Sequence, residues 1–142
     1  VDGPSHLKVV EEFGYEMYMH CGAIRKVLLA WQTPAFIDEY FKNIILHDQA
    51  FPHVRPDDLR EELKKIRQDG YAITHGEYVT DALGIGAPVF NSDGELAGSI
   101  GIIAPEIRVD TPEFLDTQKD LVQFYASSLS ADLGYEKHDV FQ

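Results

Sequence analysis

Residues 84–105 read GIGAPVFNSDGELAGSIGIIAP. Asn91, Ser92, Asp93 and Gly94 separate two apolar runs, and a turn-forming cluster in that position marks a β-hairpin. The runs predict strands over 84–91 and 95–104, with Pro105 closing the second because it has no N–H for a ladder. So short a connection leaves no room for a crossover helix, which makes the pair antiparallel. Alternation places Gly84, Gly86, Pro88 and Phe90 on one face of the first strand. It places Ala97, Ser99, Gly101 and Ile103 on one face of the second. Glycine inside a strand costs stability and marks close approach of a ligand or of another backbone. Both readings stay open here.

Working outward, residues 71–79 predict a further strand. Residues 21–32 predict a helix, with Ile24, Val27, Leu28 and Trp31 at i, i+3, i+4 and i+7. Thr33 and Pro34 stop it and begin a second helix as N-cap and first helical residue. That helix carries a stripe of Ile37, Tyr40, Phe41, Ile44 and Ile45. A looser stretch covers 47–55. Pro56, Asp57 and Asp58 open a third helix, apolar only at Leu59, Leu63 and Ile66, which Gly70 ends. Thr111, Pro112 and Glu113 open a last one carrying Phe114, Leu121, Val122, Tyr125, Leu129 and Leu133, with its end near Gly134. Segments 7–10 and 15–19 read as extended. The sum is an α+β domain, a mostly antiparallel sheet flanked by helices.

A chain of 142 residues, 44% apolar and 11% aromatic, suits one domain with a packed interior and excludes intrinsic disorder. Twelve Lys and Arg against twenty-four Asp and Glu leave a formal charge of −12, which a phosphate backbone repels. Apolar runs such as residues 27–31 are far too short to span a bilayer, and the start Val-Asp-Gly-Pro-Ser-His lacks a basic-then-apolar leader. No membrane partner and a cytoplasmic location are therefore expected. A single cysteine, Cys21, permits neither an internal disulfide nor a Cys-built metal cage. The first residue is not Met, so the chain reads as a piece of something longer.

Candidate chemistry is sparse. Cys21 at a helix start beside Arg25 and Lys26 has the surroundings of a low-pKa thiol, but its neighbour His20 is too close in sequence to serve as its base. A small buried Cys is the blander alternative. His47, His53, His75 and Glu77 lack the helical spacing of a zinc hydrolase, so no metal is expected. Gly84-Ile85-Gly86-Ala87 lies inside a strand, so it is no dinucleotide fingerprint, and no cofactor is expected. Asp57, Asp58, Glu61 and Glu62 with Lys64 and Lys65 read as a solvated helix face.

Four pieces, in order and spacing, resemble the effector-binding domain of IclR-type transcriptional regulators. They are HCGAIRKVLLA (20–30), LREEL (59–63) running to IRQDGYA (66–72), APVFNSDG (87–94) and SIG (99–101). The resemblance covers almost the whole chain but only the later part of that domain. The family's first helix and opening strands, and its winged helix-turn-helix, would precede Val1. It implies a GAF-like fold, with a small organic acid between the sheet and the helix that starts near Cys21. Carried over by position, the effector would touch Ala23 and Ile24 at the helix start, Thr74, Gly84, Gly101 and Ile103. Unpaired N–H groups at that helix start suit a carboxylate. The sequence departs from the family at Thr74-His75-Gly76, Leu83-Gly84 and Ile103, which leaves a more apolar wall and points to a bulkier or aromatic acid.

The expectation is a sensor domain, not an enzyme. It would form a homodimer or homotetramer and reach DNA only through a missing N-terminal domain. Two rivals stand beside it: a GAF-like redox enzyme reducing methionine sulfoxide through Cys21, and a GAF-like module used only for oligomerisation. If Gly101 faces the cavity, Gly101→Val should fold and lose the effector.

Overall fold

The hairpin forms as its turn chemistry requires. In the computed structural model, which describes residues 18–46, 54–77, 81–106 and 111–136, strand β2 (Ala82–Phe90) returns as β3 (Leu96–Pro105). The Asn91 side chain accepts from the N–H of Asp93 at 2.9 Å and of Glu95 at 3.0 Å, and Gly94 takes the left-handed φ of 78° that the turn needs. Strand β1 (Ala72–His75) pairs with β2, so the three-stranded sheet runs β1-β2-β3 and is antiparallel throughout. Gly84 stands opposite Ile103 and Gly86 opposite Gly101. The pairing slips between Val89 and Phe90, and the Phe90 N–H donates instead to Ser130 Oγ at 2.9 Å. β1 is shorter than the predicted 71–79, because Gly76 turns the chain at φ 66° and residues 78–80 lie outside the described ones.

Helix α1 (Ala23–Ala30) starts two residues later than the periodicity predicts, since Gly22 holds φ 93° and ψ 154°, a positive-φ geometry that favours glycine and is closed to helix. Thr33 caps α2 (Pro34–Tyr40) by accepting from the Phe36 N–H at 3.1 Å, and the helix widens into a π turn over Phe41–Ile45. Helix α3 (Pro56–Asp69) ends where Gly70 enters the left-handed region at φ 83°. Thr111 caps α4 (Pro112–Asp132) through the Phe114 N–H at 3.2 Å. The expected extended segment 7–10 lies outside the described residues. Of 15–19 only Tyr18 and Met19 are described, and neither is in a strand.

The sheet separates two layers. Leu83, Ile85, Ala87 and Val89 on β2 pack against Val122 and Ala126 of α4. On the other face α1 lies on the glycines, with Val27 and Leu29 fully buried among Phe41, Leu59, Leu63 and Ile66 of the helices behind. Each such side chain removed from water contributes roughly 1.5–3 kcal/mol. The bare face of the sheet answers in part to this packing. A Cβ on Gly86 would lie 3.0 Å from Ile24 Cα and 3.1 Å from the Ala23 carbonyl oxygen. Ser99 then ties the helix down, its hydroxyl donating to the Ile24 carbonyl at 2.9 Å.

Candidate functional site

Where α1 begins, its backbone and the sheet enclose a cavity of about 290 Å³. Ala23, Ile24 and Leu28 from α1, Ala82 on β2, and Ile102 and Ile103 on β3 form its apolar wall. Thr74, Arg25 and Glu77 bring polar groups, and Gly22 and Gly84 complete the lining. A Cβ on Gly84 would stand 2.9 Å from the Thr74 hydroxyl oxygen, so this glycine clears space for that side chain. Ile103 is half exposed and sits at the mouth.

Of the six positions named from the sequence, Ala23, Ile24, Thr74, Gly84 and Ile103 come together around this cavity. Gly101 does not line it. It faces α1 as expected, but a Cβ there would run into the Ile85 carbonyl oxygen of the neighbouring strand and stand 2.8 Å from Ile24 Cγ1. Backbone occupies the space assigned to a ligand. The expectation for Gly101→Val is corrected accordingly.

Gly22, Arg25, Leu28, Glu77, Ala82 and Ile102 were missed. Leu28 was legible only as part of the apolar stripe, and Ile102 alternates away from Ile103. Arg25 did carry a signal: a cation in the first turn of a helix opposes the macrodipole, so another interaction has to justify it. Here Arg25 borders the cavity and donates to the Cys21 carbonyl at 3.4 Å.

Glu77 sits at the centre of the electrostatics. One of its oxygens accepts from the Gly22 N–H at 3.1 Å at the positive end of α1. The other accepts from Lys26 Nζ at 2.7 Å. Lys26 is only 2% exposed and also donates to both oxygens of Glu62, at 2.9 and 2.8 Å. Glu62 therefore turns inward from α3, whereas the sequence reading assigned it to a solvated face. Lys64 and Lys65 do stay on that face, at 3.5 Å from Glu61 and 2.9 Å from Asp69.

The thiol reading of Cys21 fails on its surroundings. Cys21 is 5% exposed, and its Sγ donates to the Glu77 carbonyl at 3.4 Å. Burial pushes the thiol above its ordinary pKa. Arg25 and Lys26 oppose that rise without reversing it, and Glu77 adds to it. His20 faces elsewhere: its Nδ1 lies 2.9 Å from the Tyr40 hydroxyl. That phenol also accepts from the Met19 N–H at 2.8 Å, and burial pushes it up to about 12. Tyr40 thus stays protonated at neutral pH, and its contribution to stability is lost only as pH rises from its unfolded value through about 12. Iodoacetamide should accordingly alkylate Cys21 far more slowly in the folded chain than in urea at the same pH. Equal rates would mean an accessible thiolate.

Among the described residues no group of three or more His, Cys, Asp or Glu is placed to hold a metal ion. His75 pairs with exposed Glu106 at 3.4 Å, while His47 and His53 lie outside the described residues. No helix among the described residues is long and apolar enough to cross a membrane.

Comparison with known proteins agrees with this fold. The family profile described as bacterial transcriptional regulator IclR C-terminal matches residues 1–131. An uncharacterized HTH-type transcriptional regulator of Escherichia coli, RhmR, is 29% identical over 138 residues, covering 96% of this chain and 52% of RhmR. The crystal structure of Thermotoga maritima IclR superposes with a TM-score of 0.70 at 28% identity, over 82% of this chain and 47% of that one. The inducer-binding domain of an Acinetobacter PobR double mutant, in complex with 3-hydroxybenzoic acid, has the same fold. It superposes with a TM-score of 0.69 at 22% identity, over 80% of this chain and 66% of that one. The chain spans about half the length of the curated relatives it matches.

Proposed function

Because the chain belongs to the IclR family of bacterial transcriptional regulators, as its C-terminal domain, we propose that the cavity at the start of α1 is an effector site. The effector is a small organic acid with a bulky or aromatic body. The carrying observation is an apolar cavity whose lining holds one cationic side chain, Arg25, beside the Thr74 hydroxyl and the first turn of a helix, with its one carboxylate, Glu77, already paired with Lys26. A carboxylate would meet Arg25 and the Thr74 hydroxyl near the positive end of α1, whose Gly22 N–H is taken by Glu77, while Ala23, Ile24, Gly84 and Ile103 enclose the rest of the molecule. PobR, with 3-hydroxybenzoic acid in its inducer-binding domain, supports an aromatic acid by likeness of fold.

DNA contact would belong to a winged helix-turn-helix outside these residues, since −12 of charge opposes it here. The effector would act by preferring one arrangement of a homodimer or homotetramer, which changes how the DNA-binding parts are spaced. A cytoplasmic setting follows from that role. Relatives are transcriptional regulators, which favours a sensor over the methionine sulfoxide reductase reading, and the raised pKa of Cys21 weighs against that chemistry too. A purely oligomerising module has no need of an arginine at an apolar cavity.

A thermal-shift series of acetate, pyruvate, benzoate and 3-hydroxybenzoate tests the reading. The aromatic acids should raise the melting temperature more than the short ones, and Arg25→Met should weaken them about tenfold. No stabilisation by any acid up to about 10 mM, or an Arg25→Met variant binding normally, would remove it.

A further inference from the structure

A second cavity, of about 450 Å³, shares no lining residue with the first. It lies where the C-terminal ends of α1 and α3 meet the end of β2 and the second half of α4. Trp31, Phe90 and Tyr135 build a continuous aromatic wall. The Trp31 and Phe90 ring centres are 6.0 Å apart, edge to face, and those of Phe90 and Tyr135 are 5.2 Å apart. Among its lining residues the one charged side chain is Asp69, and the uncharged polar ones include Gln68 and Gln123. Helix C-termini present carbonyl oxygens and the negative end of the dipole, and aromatic faces attract cations.

The protein already uses this chemistry on itself. The Arg67 guanidinium donates to the Ala30 carbonyl at the end of α1, at 3.1 Å, and stands 5.6 Å from the centre of the Trp31 ring. The Asp69 carboxylate is held at one oxygen by Lys65, a largely exposed side chain, at 2.9 Å. That hydrogen bond raises the Lys65 pKa, as expected for an ammonium facing an available anion. Asp69 also lines this cavity, so a ligand ammonium there could compete with Lys65 for the carboxylate.

We propose that this second cavity binds a protonated amine carried on an aromatic or compact apolar body, separately from the acid at the first cavity. Trp31 is the one tryptophan in the chain and lines the second cavity and not the first, so its fluorescence reads the second directly. Three probes of similar shape and different charge test the idea: phenethylamine, 2-phenylethanol and phenylacetate, each titrated into the full chain at neutral pH. The amine should change Trp31 emission saturably, the alcohol about tenfold more weakly, and the acid not at all. Asp69→Asn should weaken the amine about tenfold and leave the alcohol unchanged. Lys65→Ala, which frees the carboxylate without touching the rings, should tighten the amine. Equal affinity for amine and alcohol, a response to phenylacetate, no saturable response, or weaker amine binding in Lys65→Ala would each overturn the proposal. Repeating the titration with benzoate present should give the same curve, so the two cavities are judged independently.

Discussion

Lys26→Ala is expected to lower the unfolding free energy by about 3 kcal/mol, the low end of the range for breaking a buried ion pair. The loss comes less from attraction forgone than from what is left behind: Glu62 and Glu77 would face each other with no cation between them. Both carboxylates retain partial access to water, at 37% and 27% exposure, which places the effect at that low end. Urea denaturation measures it. The double variant Lys26→Met with Glu77→Gln should recover part of the loss, because it neutralises Glu77 and leaves Glu62, at 37% exposure, as the one carboxylate without its ammonium. Additive losses in the double variant would mean that the two residues are not coupled.

Gly101→Val is expected to destabilise the fold by about 1–3 kcal/mol or more. The added Cβ meets the Ile85 carbonyl oxygen, which is ladder backbone and cannot turn aside as a side chain could, and Ile24 blocks the other direction. β3 must shift away from β2, loosening the pairing on which α1 rests. Thermal melting separates this from the expectation formed on the sequence, in which the variant is stable and merely fails to bind. An unchanged melting temperature would show that the strand relaxes freely at this position.

Much of the architecture was legible because short-range rules govern it. Thr33-Pro34 and Thr111-Pro112 start helices as their N-cap chemistry dictates. Gly70 ends a helix, and Asn91 to Gly94 turns a hairpin, because only certain backbones can make those bends. Strand alternation put Gly84 and Gly86 on one face of their strand and Gly101 on the small-residue face of its own, since the period of two is geometric, and the structure turns both faces toward α1. Five of the six residues that the family resemblance named for the site surround one cavity.

The pairings themselves were not legible. Lys26, Glu62 and Glu77 lie 36 and 51 residues apart along the chain, and nothing local distinguishes Glu62 from Glu61, which does remain on the surface. For Cys21 the sequence offered two readings, a thiol lowered by nearby charges and a small buried Cys, and the structure bears out the second. The deciding influence is burial, which depends on how the segments around it close over it. Gly101 marks the same boundary. Its identity and the face it occupies follow from the sequence, yet whether that face meets a ligand or a backbone depends on the separation of two strands and a helix. Local chain chemistry determined where the elements begin, turn and present their small faces. Tertiary packing alone decided which of those faces enclose a cavity and which are pressed shut, because distances between elements are set by all the side chains that pack between them.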